Sequence, residues 1–167
     1  ATYKQMGLDE LAVWSSLDEI SIKNLMGYIA KEYVILKTCN RFEIFAIMEN
    51  YNNDVEEKLL GLGPKGKILK GSDAVRHLIE VASGMDSMVP GEQDIQRQVK
   101  EALKKSIDEG TSGKYLNYIF MKALSTSKEI RSKTRIGNGI VSIPQASVKI
   151  LEGVLNSGKV AILGPGR

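Results

Sequence analysis

The hydrophobic pattern of this chain changes character once, near residue 71, and that change limits what it can fold into. Ahead of it, residues 33 to 37 and 41 to 49 read as β-strands, rich in branched and aromatic side chains. Helical patterns surround them at 8 to 15, at 20 to 31 and at about 53 to 60, with Ile22, Leu25, Met26 and Ile29 at helical spacing in the second. The turn GLGPKG then leads to a short strand expected near 67 to 70. From Ser72 onward the pattern is helical. SDAVRHLIEVASG starts on a Ser/Asp cap and stops at Gly84, with Val75, Leu78, Ile79 and Ala82 as its apolar stripe. EQDIQRQVKEALKKSIDEG puts Ile95, Val99, Leu103 and Ile107 on one face and stops at Gly110. KYLNYIFMKALSTSKEIRSKT does the same with Leu116, Ile119, Phe120, Ala123, Leu124 and Ile130. Pro144 suits the first turn of one more helix, to about Asn156, and KTRIGNGIVSI reads as a flexible connection. The fold class is α+β: a small sheet with helices, then a helical bundle.

Composition removes several function classes. A chain of 167 residues holds one ordinary domain or two small ones, and 43% hydrophobic with 26% charged residues is a globular balance. No apolar run approaches membrane length and no basic-then-apolar leader is visible, so a cytoplasmic setting is the expectation. One cysteine makes no internal disulfide, and one cysteine with one histidine makes no zinc finger, so no metal site is expected. A net charge of +3 permits a nucleic-acid partner without arguing for one. The chain opens without Met and closes on GKVAILGPGR, a strand followed by half a glycine-rich turn, as a fragment of a longer protein would.

Cys39 is the most informative single residue. In the strand 41 to 48, Phe42, Ile44, Ala46 and Met48 share an apolar face, while Arg41, Glu43, Phe45 and Ile47 share the other. Extended geometry carried back through the turn puts Cys39 on the Arg41–Glu43 face, in a polar rim, with a guanidinium two residues away. A lone cysteine is most often an inert small hydrophobe. A nucleophilic thiol needs local positive charge or a base; Arg41 offers the first and His77, the only imidazole, offers the second. His77 falls beside its helix's apolar stripe, where a histidine is more often structural than catalytic. The loop SGMDSMVPGEQD, residues 83 to 94, interleaves Met85, Met88 and Val89 with polar groups and is expected to pack down, aiming those polar groups at something specific. VAILGPGR reads as a strand entering a Gly-x-Gly turn of the kind that admits a pyrophosphate.

Taken together, TCNRFEIF, AVRHLIEVASGMDSMVPGE and VAILGPGR resemble, in order and in spacing, the three signatures of the glutamyl-tRNA reductase family. The resemblance implies a ferredoxin-like α+β subdomain at 1–71 carrying the Cys motif, a helical subdomain at 72–157 completing the substrate site, and at 158–167 the first strand of a truncated Rossmann domain. It implies NADPH-dependent reduction of glutamyl-tRNA to glutamate-1-semialdehyde through a thioester on Cys39, the first step of tetrapyrrole biosynthesis. His77 matches the family's histidine important for activity. Thr38, Asn40 and Arg41 match residues that cradle the glutamyl group, with Arg41 gripping its carboxylate as a fork. Ser87, Glu92, Gln93, Asp94 and Gln98 match further substrate contacts, although the family commonly reads Gly-Glu-Pro-Gln where this chain has Gly91-Glu92-Gln93-Asp94. Gly164 and Gly166 match the NADPH turn, which this fragment is expected to hold too incompletely to bind the cofactor. A homodimer through a C-terminal domain and a partnership with glutamate-1-semialdehyde aminotransferase are further implications. The residues alone leave two other readings open: a tRNA- or nucleotide-binding module that is not an enzyme, and a cysteine redox sensor, although no resolving cysteine is present.

Overall fold

The hairpin that carries Cys39 organises the fold. A computed structural model describes residues 1–92, 94–136 and 143–154. Two helices, α1 (Leu8–Ser15) and α2 (Glu19–Ile29), lead into β1 (Glu32–Lys37) and β2 (Phe42–Ile47); α3 (Asn53–Leu60), α4 (Ser72–Ser83), α5 (Asp94–Asp108), α6 (Lys114–Lys133) and α7 (Ile143–Val154) follow. β1 and β2 pair antiparallel, Lys37 opposite Phe42 and Glu32 opposite Ile47. Side chains alternate across this sheet, so its two faces bury different cores. Val34 and Leu36 join Leu78, Val81 and Ala82 of α4, Ile95, Val99 and Leu103 of α5, and Leu116, Phe120 and Ala123 of α6. Phe45 meets Phe120 edge-on with ring centroids 5.2 Å apart, a geometry worth about 1 kcal/mol beyond burial. The opposite face sets Tyr33 and Phe42 against Met6, Leu11, Trp14, Ile22 and Met26, with Ile44, Ala46 and Met48 packed around them. The first of these cores crosses residue 71, tying the hairpin to the helices. Among the described residues no helix is long and apolar enough to cross a membrane.

Two expectations about the framework are corrected. The segment near 67 to 70 forms no strand. It lines one wall of a hollow of about 820 Å³ whose other wall includes Phe42, Ile44 and Ala46 of β2. A strand needs a partner for its ladder, and among the described residues the only ladder of named strands is that of β1 with β2. β2's outer edge is instead met at one end by residues 1–3: Phe42 exchanges both backbone hydrogen bonds with Ala1, and Tyr3 N–H donates to the Asn40 carbonyl. Ile107 is the second correction, 49% exposed while Ser106 is buried. A step of four residues overshoots a helical turn by about 40°, so three such steps from Ile95 swing Ile107 about 120° off the face. Ser106 returns to it, its hydroxyl donating to the Leu103 carbonyl.

Candidate active site

The site grows from the β-turn between β1 and β2. Thr38 N–H donates to the Arg41 carbonyl at 2.9 Å, and Asn40 N–H donates to Thr38 Oγ1 at 3.2 Å. This four-residue turn puts Cys39 at its tip, exposed, with Thr38 and Asn40 half-buried on either side. Arg41 re-enters the sheet as the bridge partner of Thr2. It is 2% exposed, not part of a polar rim, and so departs from the sequence expectation.

Arg41 is the hub of a buried ionic cluster. Its NH1 donates to Glu43 Oε1 at 2.9 Å and to Asp86 Oδ2 at 3.3 Å, and its NH2 donates to the Asp86 carbonyl at 2.6 Å. Asp86 also receives Lys4 Nζ at 2.6 Å. Burial pushes the Asp86 carboxyl upward, but the Lys4 hydrogen bond and the Arg41 charge outweigh it and hold the group below the ordinary aspartate range. His77 enters from α4, with Nε2 3.0 Å from Glu43 Oε1. Glu43 is the shared member: register places it opposite Leu36, hence on the sheet face turned to α4. Its second oxygen, Oε2, is buried with no hydrogen-bond partner among the described residues.

The loop after α4 is shaped by backbone closure. Gly84 takes φ +79 as the helix's left-handed cap, and a side chain there would stand 2.9 Å from the Glu92 carbonyl. Gly91 N–H closes on the Gly84 carbonyl at 2.9 Å. From α6, Arg131 binds three carbonyls of this loop and its base, donating from NH1 to Ser83 and Glu92 and from NH2 to Gly91. The closed loop turns Asp86 and Ser87 inward. Met85 and Met88, expected to pack down, are each 47% exposed. Ser87 is buried and its hydroxyl has no partner.

Several sequence-derived candidates therefore converge and others stand apart. Arg41 and His77 meet in one cluster, completed by Glu43 and Asp86, which were not candidates. Parity had set Glu43 beside Arg41, the one signal that could have found it; Asp86 offered only an acid inside a loop expected to be aimed. The large hollow is lined by Glu43, His77 and Asp86. Gln98 lines a separate hollow, of about 340 Å³, with Lys37 and Glu101. Asp94 is exposed and bonded to Arg97 and Gln98 on its own helix. Glu92 is half-buried and gives its carbonyl to Arg131. Gln93, Gly164 and Gly166 lie outside the described residues, as does most of the connection expected after Lys133. Ligand atoms of Glu43, His77 and Asp86 lie within 4.8 Å of one another, close enough to share a cation. Arg41 NH1 already bridges two of the three, so a guanidinium does the work a metal ion would do there.

A family model described as "Glutamyl-tRNAGlu reductase, N-terminal domain" matches residues 2–134. Glutamyl-tRNA reductase of Ignicoccus hospitalis is 41% identical over 169 residues, covering 95% of this chain and 37% of that protein. The same enzyme of Picrophilus torridus is 44% identical over 138 residues, 81% of this chain and 33% of the relative. Among solved structures, glutamyl-tRNA reductase from Methanopyrus kandleri superposes with a TM-score of 0.78 at 35% identity, over 94% of this chain and 39% of that one. The chain thus spans about two-fifths or less of the length of these relatives.

Proposed function

This chain belongs to the family of glutamyl-tRNAGlu reductase N-terminal domains, and from that premise we propose that it carries the acyl-transfer half of glutamyl-tRNA reduction, the entry step of tetrapyrrole synthesis. The observation that carries the reading is an exposed cysteine at the tip of the hairpin, two residues before the buried Arg41 whose partner Glu43 also meets His77. Cys39 Sγ, having lost its proton, attacks the ester carbonyl of glutamyl-tRNA. A C–S bond forms, the C–O bond to the ribose breaks, and the ribose oxygen leaves with a proton. The thiol thus divides one hard reduction into two easier steps, because a thioester accepts hydride where a carboxylate does not. NADPH would supply the hydride for reduction to glutamate-1-semialdehyde; Gly164 and Gly166, which would help hold it, fall outside the described residues. Without that hydride the glutamyl group leaves Cys39 only slowly, to water.

In the proposed division, residues 1–71 present the nucleophile and 72–157 complete the substrate site. Thr38 and Asn40 flank the thiol. Ser87 supports the reading as a further contact, since its buried hydroxyl has no protein partner. Arg41 grips a substrate carboxylate only by giving up Asp86, which now takes both of its terminal nitrogens. Glu92, Gln93, Asp94 and Gln98 remain proposed contacts, Gln98 from a hollow of its own. Dimerisation and association with the aminotransferase that consumes the semialdehyde belong to the longer protein.

Intact-mass spectrometry after mixing with glutamyl-tRNA and quenching in acid tests the proposal, with Cys39→Ser in parallel. A glutamyl adduct on the native chain alone is expected. An adduct that persists in the Ser variant refutes the nucleophile, and none on the native chain or on a full-length relative treated alike refutes the reaction.

A further inference from the structure

We infer that Glu43 positions His77: its carboxylate holds the imidazole as the Nε2–H tautomer and leaves Nδ1 as the nitrogen that exchanges protons in the site. The inference rests on the proposed function for its catalytic meaning, but its geometry and its test do not. Glu43 Oε1 lies 2.9 Å from Arg41 NH1 and 3.0 Å from His77 Nε2. A guanidinium only donates, so Oε1 already acts as an acceptor towards Arg41. An ionised carboxylate has no proton to give, so the contact to His77 forms only if Nε2 carries the hydrogen. In the neutral ring the proton then sits on Nε2, and Nδ1 holds the free lone pair. Nδ1 has no hydrogen-bond partner among the described residues. His77 lines the large hollow with Asp86 and Lys4, and its side chain keeps 23% of its surface.

The carboxylate is itself held firmly enough to impose this choice. Glu43 stands on β2, opposite Leu36, with its side chain 8% exposed. Arg41, which fixes it, is fixed in turn by two contacts to Asp86 in the loop after α4. Oε2 has no donor among the described residues, so Oε1 is the oxygen that meets the ring. The charged groups of this cluster are Glu43, Arg41, Asp86, Lys4 and the Ala1 ammonium, drawn from the sheet, the loop and the N-terminal segment. A side chain that only filled space would leave the ring free to sample both tautomers.

His77 is the only histidine in the chain, so its ring nitrogens can be read without assignment. We would label the full chain with ¹⁵N-histidine and record long-range ¹H–¹⁵N correlations at a pH where the ring is neutral. One tautomer is expected, with Nε2 protonated, Nδ1 bare and the Nε2 proton slow to exchange. Glu43→Ala, its folding checked by the amide spectrum, is expected to return the ring to a rapidly averaging mixture. An averaged ring or an Nδ1–H tautomer in the native chain overturns the inference, whether or not the variant folds. So does a folded Glu43→Ala that keeps the single native tautomer. A glutamyl adduct formed by a chain whose His77 ring averages would sink this inference and leave the proposed function standing.

Discussion

Replacing Glu32 with alanine is expected to destabilise the chain by about 3 kcal/mol, although the residue lies outside the candidate site. Helix α6 starts after Gly113, which has no side chain to cap it. The cap comes from 84 residues earlier: Glu32 Oε2 accepts Leu116 N–H at 2.7 Å and Oε1 accepts Tyr115 N–H at 3.2 Å. Gly113 suits this arrangement, because a Cβ there would lie 2.7 Å from Glu32 Oε1. A hydrogen bond to a charged group contributes roughly 1.5–3 kcal/mol. The Leu116 bond is short and buried and takes the middle of that range. The Tyr115 bond is longer, on a residue 51% exposed, and water recovers part of it, so the sum falls near ~3 kcal/mol. For a chain of this size that is a melting-temperature loss of roughly 6–12 °C. Glu32→Gln keeps an acceptor but loses the charge at a helix N-terminus, and is expected to cost about 1–2 kcal/mol. Burial raises the Glu32 carboxyl, but the backbone donors of Leu116, Tyr115 and Gly113 outweigh it and set the group below the ordinary glutamate value of 4.5. A depressed carboxyl stabilises above its unfolded value and loses that contribution as pH falls through the folded one. The gap between the native chain and the Glu32→Gln variant should therefore be full above pH 4.5 and close below it. Urea melts of the three chains across pH measure all of this. An alanine variant within about 0.5 kcal/mol of native, the scatter of an ordinary surface change, would refute the cap, and so would a Gln variant as damaged as the Ala one.

The other end of α6 should matter to the site as its start matters to the fold. Arg131→Lys replaces a planar fork that binds three carbonyls by a point charge. It is expected to cost about 1–3 kcal/mol and to speed amide exchange in residues 84 to 92, and unchanged exchange there would refute the clasp. Along β2, residues 42, 44 and 46 turn their backbone groups away from β1, and Ala1 serves only Phe42. Amide exchange at Ile44 and Ala46 should therefore outpace that at Glu43 and Phe45; equal protection would mean that the outer edge is covered.

What the sequence disclosed follows the range of the interaction involved. α4 ends at Gly84 as expected because capping is local, and the two faces of β2 separate as expected because side-chain alternation is local. The family signatures brought Cys39, Arg41 and His77 forward together. What stayed hidden depends on distant partners. Glu32, which no sequence pattern singled out, is a cap for a helix 84 residues away. Arg131, likewise not singled out, holds a loop about 40 residues back. The segment near 67 to 70 has strand-like residues but no ladder to join. Met85 and Met88 were expected inside on hydropathy alone; closure at Gly84 and Gly91 set the loop's direction instead, and the buried guanidinium of Arg41 gave Asp86 a reason to face in.

That inversion bears on the thiol. Alternation carried back from β2 set Cys39 and Arg41 on one face, but alternation holds only while the backbone stays extended, and the turn at 38 to 41 ends it. Cys39 points out while Arg41 points in, and the guanidinium expected to favour a thiolate spends its charge on Glu43 and Asp86. Lys4 and the Ala1 ammonium also lie in this group, against the carboxylates of Glu43 and Asp86, so the Arg41 charge is largely offset. Asp86→Asn should raise the positive charge near the turn. A unit charge acting through water across roughly 6–10 Å is worth ~0.4–0.7 kcal/mol. A net positive charge favours the reactive thiolate, so alkylation of Cys39 by iodoacetamide at neutral pH should run about two- to threefold faster in the variant. A rate unchanged, in a variant whose amide spectrum shows the hairpin intact, would mean that the Arg41 charge does not reach the thiol. Activation of Cys39 would then have to come from the bound substrate or from His77.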